Sequence, residues 1–158
     1  MRKILLFLML FVAINSTTFA MPEEVDFSYN KLKVGMSYDE MVKIMGESKI
    51  KLMTFHDEYA VDEYVYKDIR IDLDVNSKKV VLISIKDKKY ENNKGVKIGA
   101  TLYKLNKEYG VAQKEIIGGK KYYIYSNNQN KEEKLIFDVT YGYVEKIIIT
   151  DLPTGVLG

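Results

Sequence analysis

Two periods of hydrophobicity follow one another along this chain, and the change from the first to the second occurs twice. After Ser37 the apolar residues Met41, Ile44 and Met45 recur at helical spacing, whereas Ile69, Ile71, Leu73 and Val75 alternate with Asp68, Arg70, Asp72 and Asp74. The first spacing predicts a short amphipathic helix and the second a strand buried on one face. Ser37 followed three residues later by Glu40 makes a capping-box pattern, and Gly46 is placed to stop the helix. From Thr101 the sequence does the same again: Thr101 caps, Leu102 and Leu105 supply the apolar side, Gly110 stops the helix, and Leu135, Phe137 and Val139 alternate. Helices this short are not stable alone and need a sheet to pack on. Further strands are predicted at 51–55, 58–66, 113–117 and 120–126, with return strands ending Ile83-Ser84-Ile85 and Ile147-Ile148-Ile149. Asn76-Ser77-Lys78, Gly118-Gly119 and Tyr141-Gly142 provide the turns.

The two halves match at a constant offset of 64 residues. Lys33-Val34-Gly35 recurs as Lys97-Ile98-Gly99, Gly46 as Gly110, Asp74-Val75 as Asp138-Val139, Val80 as Val144, Ile83 as Ile147 and Ile85 as Ile149. At the same offset Ile71 falls with Leu135, Leu73 with Phe137, and Tyr59 with Tyr123. An ungapped match over some fifty positions predicts an α+β chain of two tandem helix-plus-antiparallel-sheet repeats, residues 31–86 and 95–150, with the helices packed on one face of the sheets. Residues 151–158 are expected to form a flexible tail.

The run Lys33-Val34-Gly35-Met36-Ser37, then Met41, Met45 and Gly46, then a meander of strands, resembles the small outer-membrane assembly lipoproteins of the SmpA/OmlA type. A tandem pair of such units resembles the beta-lactamase inhibitory proteins. That resemblance implies sheets placed side by side and a partner protein bound on their concave surface. The chain departs from the resemblance in having no lipid-accepting Cys, no disulfide, and Glu47 after Gly46 where the assembly lipoproteins often have proline.

The first twenty residues have a different character. Arg2 and Lys3 precede an apolar run at 4–14, and a short polar stretch ends Thr18-Phe19-Ala20, the pattern of a signal peptide cleaved after Ala20. As a helix the run would reach about 16 Å, against a bilayer core roughly 30 Å thick, so it is not expected to span, the alternative being a retained N-terminal anchor. The expected mature protein, from residue 21, is secreted or periplasmic, without stable membrane insertion after cleavage. Losing Arg2 and Lys3 leaves 22 basic residues against 22 acidic ones. A formally neutral domain offers little to nucleic acid, which rewards a concentrated basic face. The chain contains no cysteine, so disulfides, thiolate metal sites and thiol nucleophiles are excluded.

Candidate chemistry is sparse, and no cofactor or metal is expected. His56 is the single histidine, so a Ser-His-acid arrangement has one possible base and no serine carries a surrounding motif. Asp57 and Glu58 adjoin it but neighbours on a strand point to opposite faces, which leaves an exposed turn histidine as the plainer reading. Asp72 and Asp74 share a face, with Asp138 at the position equivalent to Asp74. They make a carboxylate pair or, more simply, a solvated strand face balanced by Arg70. Leu152-Pro153-Thr154-Gly155 lacks the residue between Pro and Thr and the apolar, basic tail that a wall-sorting signal needs.

The positive signal is aromatic: 13 tyrosines and no tryptophan, with groups at Tyr59, Tyr64 and Tyr66 and at Tyr122, Tyr123 and Tyr125. Tyrosine combines contact area with a polar tip at small entropic cost, which suits recognition, though rings packed under helices would serve a core equally. The sequence therefore predicts a non-enzymatic module, inhibitor-like or an envelope assembly factor, that binds an extracytoplasmic protein through Tyr59, Tyr64, Tyr66, Tyr123 and Tyr125. The alternative is a cell-wall glycan or small-ligand binding protein, with the rings stacking on sugar faces.

Overall fold

The computed structural model describes residues 25–157, so the signal-peptide segment lies outside the described residues. The two helices form where the capping patterns place them. α1 spans Tyr38–Met45; Ser37 Oγ accepts from the Glu40 amide while the Glu40 carboxylate accepts from the Ser37 amide at 2.8 Å, closing the capping box. α2 spans Leu102–Tyr109 and is capped by Thr101, whose hydroxyl accepts from the Lys104 amide at 3.2 Å. Gly46 and Gly110 end them at φ 74° and 75°, a left-handed turn that a residue with a Cβ adopts only under strain.

The strands are β1 (Ile50–His56), β2 (Tyr59–Val65), β3 (Ile69–Asp74), β4 (Val80–Ile85), β5 (Gln113–Ile117), β6 (Lys120–Ser126), β7 (Lys134–Thr140) and β8 (Tyr143–Thr150). They do not make two helix-plus-sheet repeats. All eight join one antiparallel sheet in the order β1-β2-β3-β4-β8-β7-β6-β5, because β4 pairs directly with β8, Ile83 opposite Ile149 and Ile85 opposite Ile147. Residues 31–86 and 95–150 consequently share one sheet and one core. Met41 of α1, Leu105 of α2, Ile71, Ile83, Leu135, Phe137 and Ile147 belong to the same buried cluster, with both helices on one face.

The constant 64-residue offset does not survive either. It holds where the Gly35 and Gly99 amides donate to the carbonyls of Val80 and Val144, both at 2.7 Å. It fails one strand further on. Ile83 stands opposite Ile71, but Ile147 stands opposite Phe137, not Leu135. Each of these strand pairs carries a bulge, between Asp72 and Leu73 and between Asp138 and Val139, so Asp138 occupies the place of Asp72 rather than that of Asp74. Tyr123 lies opposite Phe137 as Tyr64 lies opposite Ile71, which matches it to Tyr64 rather than to Tyr59. A slip of two residues leaves every side chain on its own face, so alternation alone cannot reveal it.

The face away from the helices is covered in part by the terminal segment that the sequence analysis expects to be a flexible tail. Leu152 and Val156 are buried against Val61 and Val81, and a single 3₁₀ turn spans Thr154–Leu157. The Leu152 carbonyl accepts from Lys134 Nζ at 3.1 Å and the Leu157 carbonyl from the Tyr122 hydroxyl at 3.2 Å. Ending the chain after Asp151 is expected to cost about 3 kcal/mol, roughly the burial of one Leu and one Val side chain. A urea titration of the truncated protein checks this, the expected result being a lower midpoint with an unchanged far-UV spectrum.

Candidate functional site

The sheet distributes the sequence-predicted tyrosines between its two faces and does not assemble them into one exposed surface. Tyr64 and Tyr123 are 8% and 7% exposed and belong to the helix-covered core, each with a lysine, Lys51 or Lys114, 5.6 Å above its ring. Tyr66 and Tyr125 pack on the edge of that core and donate from their hydroxyls to the carbonyls of Gly46 and Gly110, the helix stops, at 2.8 and 3.3 Å. Tyr125 also meets Tyr109 and Phe137 ring to ring, with centroids 5.0 and 5.9 Å away. Burial pushes the Tyr125 phenol up to about 12 and likewise raises that of Tyr109 well above the ordinary phenol value. Tyr59 lies on the opposite face beside Val61, Val81, Leu152 and Val156. Four of the five rings thus clamp helices to the sheet.

His56 is not a free turn residue. It ends β1, and its Nε2 lies 2.7 Å from Asp72 Oδ2, a carboxylate only 2% exposed. The hydrogen bond to Asp72 raises the imidazole above its ordinary pKa, with burial opposing. Asp138, in the matching place across the sheet, meets Lys120 Nζ at 3.7 Å. Among the described residues the second carboxylate oxygens of Asp72 and Asp138 accept no hydrogen bond. Asp74 turns to local work, accepting from the Asn76 and Ser77 amides, so the Asp72–Asp74 pair considered from the sequence is divided between two tasks. Among the described residues no group of three His, Asp or Glu side chains is placed to hold a metal ion.

The strand expected at 51–55 forms as β1, but its place at the rim of the sheet was not legible from the sequence. It is one edge of the sheet, yet Ile50, Leu52, Met53 and Phe55 are between 51% and 64% exposed. Its register with β2 places Met53 and Phe55 on the helix side and Ile50 and Leu52 on the other, so apolar groups flank both sides of a strand that, among the described residues, has no neighbour on its outer side. Edge strands are ordinarily blunted by charge, proline or bulges. Here the lysine near the start of the strand, Lys51, is tied to Asp62 at 3.0 Å. The other edge, β5, carries Lys114 and Glu115 and exposes Ile116. The run Ile50-Lys51-Leu52-Met53-Thr54-Phe55 was visible as a strand, but only its position at the rim makes its apolar residues unusual.

A cavity of about 760 Å³ lies between the end of α2 and β6, lined by Tyr109, Tyr125, Phe27, Asn127 and Gln113 among others. Its two tyrosines are engaged with each other and, both of them, with Phe137. Among the described residues no helix is long and apolar enough to cross a membrane.

No protein-family model and no curated protein matches the sequence. Among solved structures the chain is similar to an extracellular protein containing an SCP domain from Bacillus anthracis, at 11% identity and a TM-score of 0.49, covering 78% of this chain and 45% of that one. It is also similar to a DUF4309 family protein from Bacillus subtilis, at 15% identity and a TM-score of 0.48, covering 78% and 81%. A third likeness is to a candidate beta-lactamase inhibitor protein from Streptococcus mutans, at 16% identity and a TM-score of 0.30, covering 82% and 91%. The chain thus spans less than half of the Bacillus anthracis protein. The resemblance to beta-lactamase inhibitory proteins has a distant counterpart in the Streptococcus mutans protein, whereas the SmpA/OmlA resemblance has no support in these likenesses. Identities this low and TM-scores below 0.5 carry nothing about activity, partner or location.

Proposed function

We propose that the protein is a non-enzymatic, extracytoplasmic binding module whose partner is a protein that adds an extended segment to the edge strand β1. The observation that supports this reading is the exposure of Ile50, Leu52, Met53 and Phe55 along an edge that, among the described residues, pairs with no strand on its outer side, with only the backbone of Ile50 tied locally, to Ser48. Strand addition supplies that side with main-chain hydrogen bonds, and apolar contacts alternating between the two faces supply selectivity. The extracytoplasmic part of the reading rests on the export pattern of residues 1–20.

The test combines capture with hydrogen exchange. Immobilised mature protein is expected to retain an envelope protein, and the amides of Ile50–His56 are expected to gain protection in the complex. Leu52→Lys with Phe55→Lys, both at exposed positions on opposite sides of the strand, should weaken retention at least tenfold while leaving the unfolding midpoint near the wild-type value. Retention that survives the double substitution would sink the proposal, as would a complex in which β1 exchanges as before. Protection that grows with the concentration of the protein alone, together with a dimer in sedimentation, would replace the partner by a second copy.

A further inference from the structure

The junction of β4 and β8 brings cations together. Because Ile85 stands opposite Ile147, the next residues outward, Lys86 and Lys146, face each other across the two strands, and like charges in that position destabilise a sheet. Arg70 on β3 stands opposite Ser84, on the same face, away from the helices. These four side chains, with Lys67 and Asp68 from the β2–β3 turn, line a depression of about 330 Å³.

The charges there are poorly compensated. Arg70 reaches one carboxylate oxygen of Glu63 at 3.6 Å while remaining largely exposed. Among the described residues no carboxylate lies within 4.0 Å of the ammonium of Lys86 or Lys146. Asp138 stands directly opposite Lys146 on β7, but its carboxylate lies more than 4.0 Å from that ammonium and is itself engaged by Lys120; among the described residues Asp68 at the rim makes no ion pair. Half-buried Lys146 is depressed in pKa by its desolvation and by the neighbouring Lys120, Lys86 and Arg70. Elsewhere on this face the lysine Lys120 does find an acid, so the surplus is local to the junction in a mature domain that is formally neutral.

We infer that this depression, bounded by Arg70, Ser84, Lys86 and Lys146, binds a phosphate group. A guanidinium fork, two ammonium groups and a hydroxyl supply convergent donors for a tetrahedral dianion, and the anion would relieve the repulsion between the lysines. This site is separate from the β1 edge and does not depend on it.

The experiment is an NMR titration of the mature protein with sodium phosphate at constant ionic strength held by sodium chloride, in parallel with thermal melts. Saturable shifts are expected at Ser84, Lys86 and Lys146, and phosphate should raise the melting temperature. Lys146→Met should weaken phosphate binding at least tenfold and abolish the phosphate-dependent gain, yet melt at or above the wild-type temperature without phosphate because the lysine repulsion is gone. Lys97→Met, at a lysine paired with Glu91 away from the junction, should bind as wild type. Glycerol 3-phosphate in a second arm separates free from esterified phosphate, the ester binding more tightly if the natural ligand is a phosphoester. Shifts that fail to saturate, or that are equal in Lys146→Met and wild type, would overturn the assignment. So would a Lys146→Met protein that is less stable without phosphate, since the lysine would then be a structural element.

Discussion

Replacing Phe137 by alanine is expected to lower the unfolding free energy by about 4 kcal/mol, the typical cost of removing a buried aromatic ring and leaving a cavity. Phe137 is fully buried on β7, and its ring meets Tyr109 at 5.3 Å and Tyr125 at 5.9 Å between centroids. The ring therefore joins α2 to the sheet, and a helix of two turns draws most of its stability from such packing. Leucine at the same position should cost only about 1–2 kcal/mol, because it restores most of the volume. Phe55→Ala supplies the contrast: that ring is exposed at the sheet edge and its removal should stay within about 0.5 kcal/mol. Urea titrations of the three variants check the ordering. Equal losses at Phe137 and Phe55 would contradict the assignment of one ring to the core and the other to a docking edge.

The second large effect is tied to pH. Removing the imidazole of His56 strands the Asp72 carboxylate in a buried site. Breaking a fully buried pair costs roughly 3–5 kcal/mol, and the partial exposure of the ring reduces this to about 2 kcal/mol for His56→Gln below pH 6.5. The hydrogen bond to Asp72 raises the folded pKa of His56 above its ordinary value. A raised pKa means the folded state holds the proton more tightly, so this stabilisation is complete below about pH 6.5 and disappears as pH climbs through the raised value. The difference in urea midpoint between wild type and His56→Gln should therefore be largest near pH 5.5 and shrink toward pH 8.5. Comparing the two proteins at each pH cancels the titration of groups they share. A gap that widens with pH would show that the imidazole is held neutral and that Asp72 is compensated in another way.

Several features were legible from local pattern alone. Ser37 with Glu40, Thr101, Gly46 and Gly110 define helix ends through bonds made within one or two turns, and the structure places α1 and α2 between them. The parity of Ile69, Ile71 and Leu73 and of Leu135, Phe137 and Val139 is likewise local, and all six face the helices. The candidate site was less accessible. Density of tyrosine along the chain carries no information about which side a ring occupies relative to a helix, and Tyr64, Tyr66, Tyr123 and Tyr125 are drawn under the helices by apolar burial and by hydroxyl bonds to helix ends. His56 found Asp72 across a neighbouring strand, 16 residues away in sequence.

The amino-acid sequence by itself determined the short helices, the strand alternation and the absence of thiol chemistry, since each depends on residue type or on spacing within a few positions. Tertiary structure decided that β4 and β8 pair, which merges the halves into one sheet and sets Lys86 against Lys146. It also decided the two-residue slip that aligns Asp138 with Asp72, and the rim position that leaves the apolar side chains of β1 in water. The physical reason is common to all three: a period of two is unchanged by any even shift and is silent about which strand lies alongside, so pairing is settled only when the whole core closes.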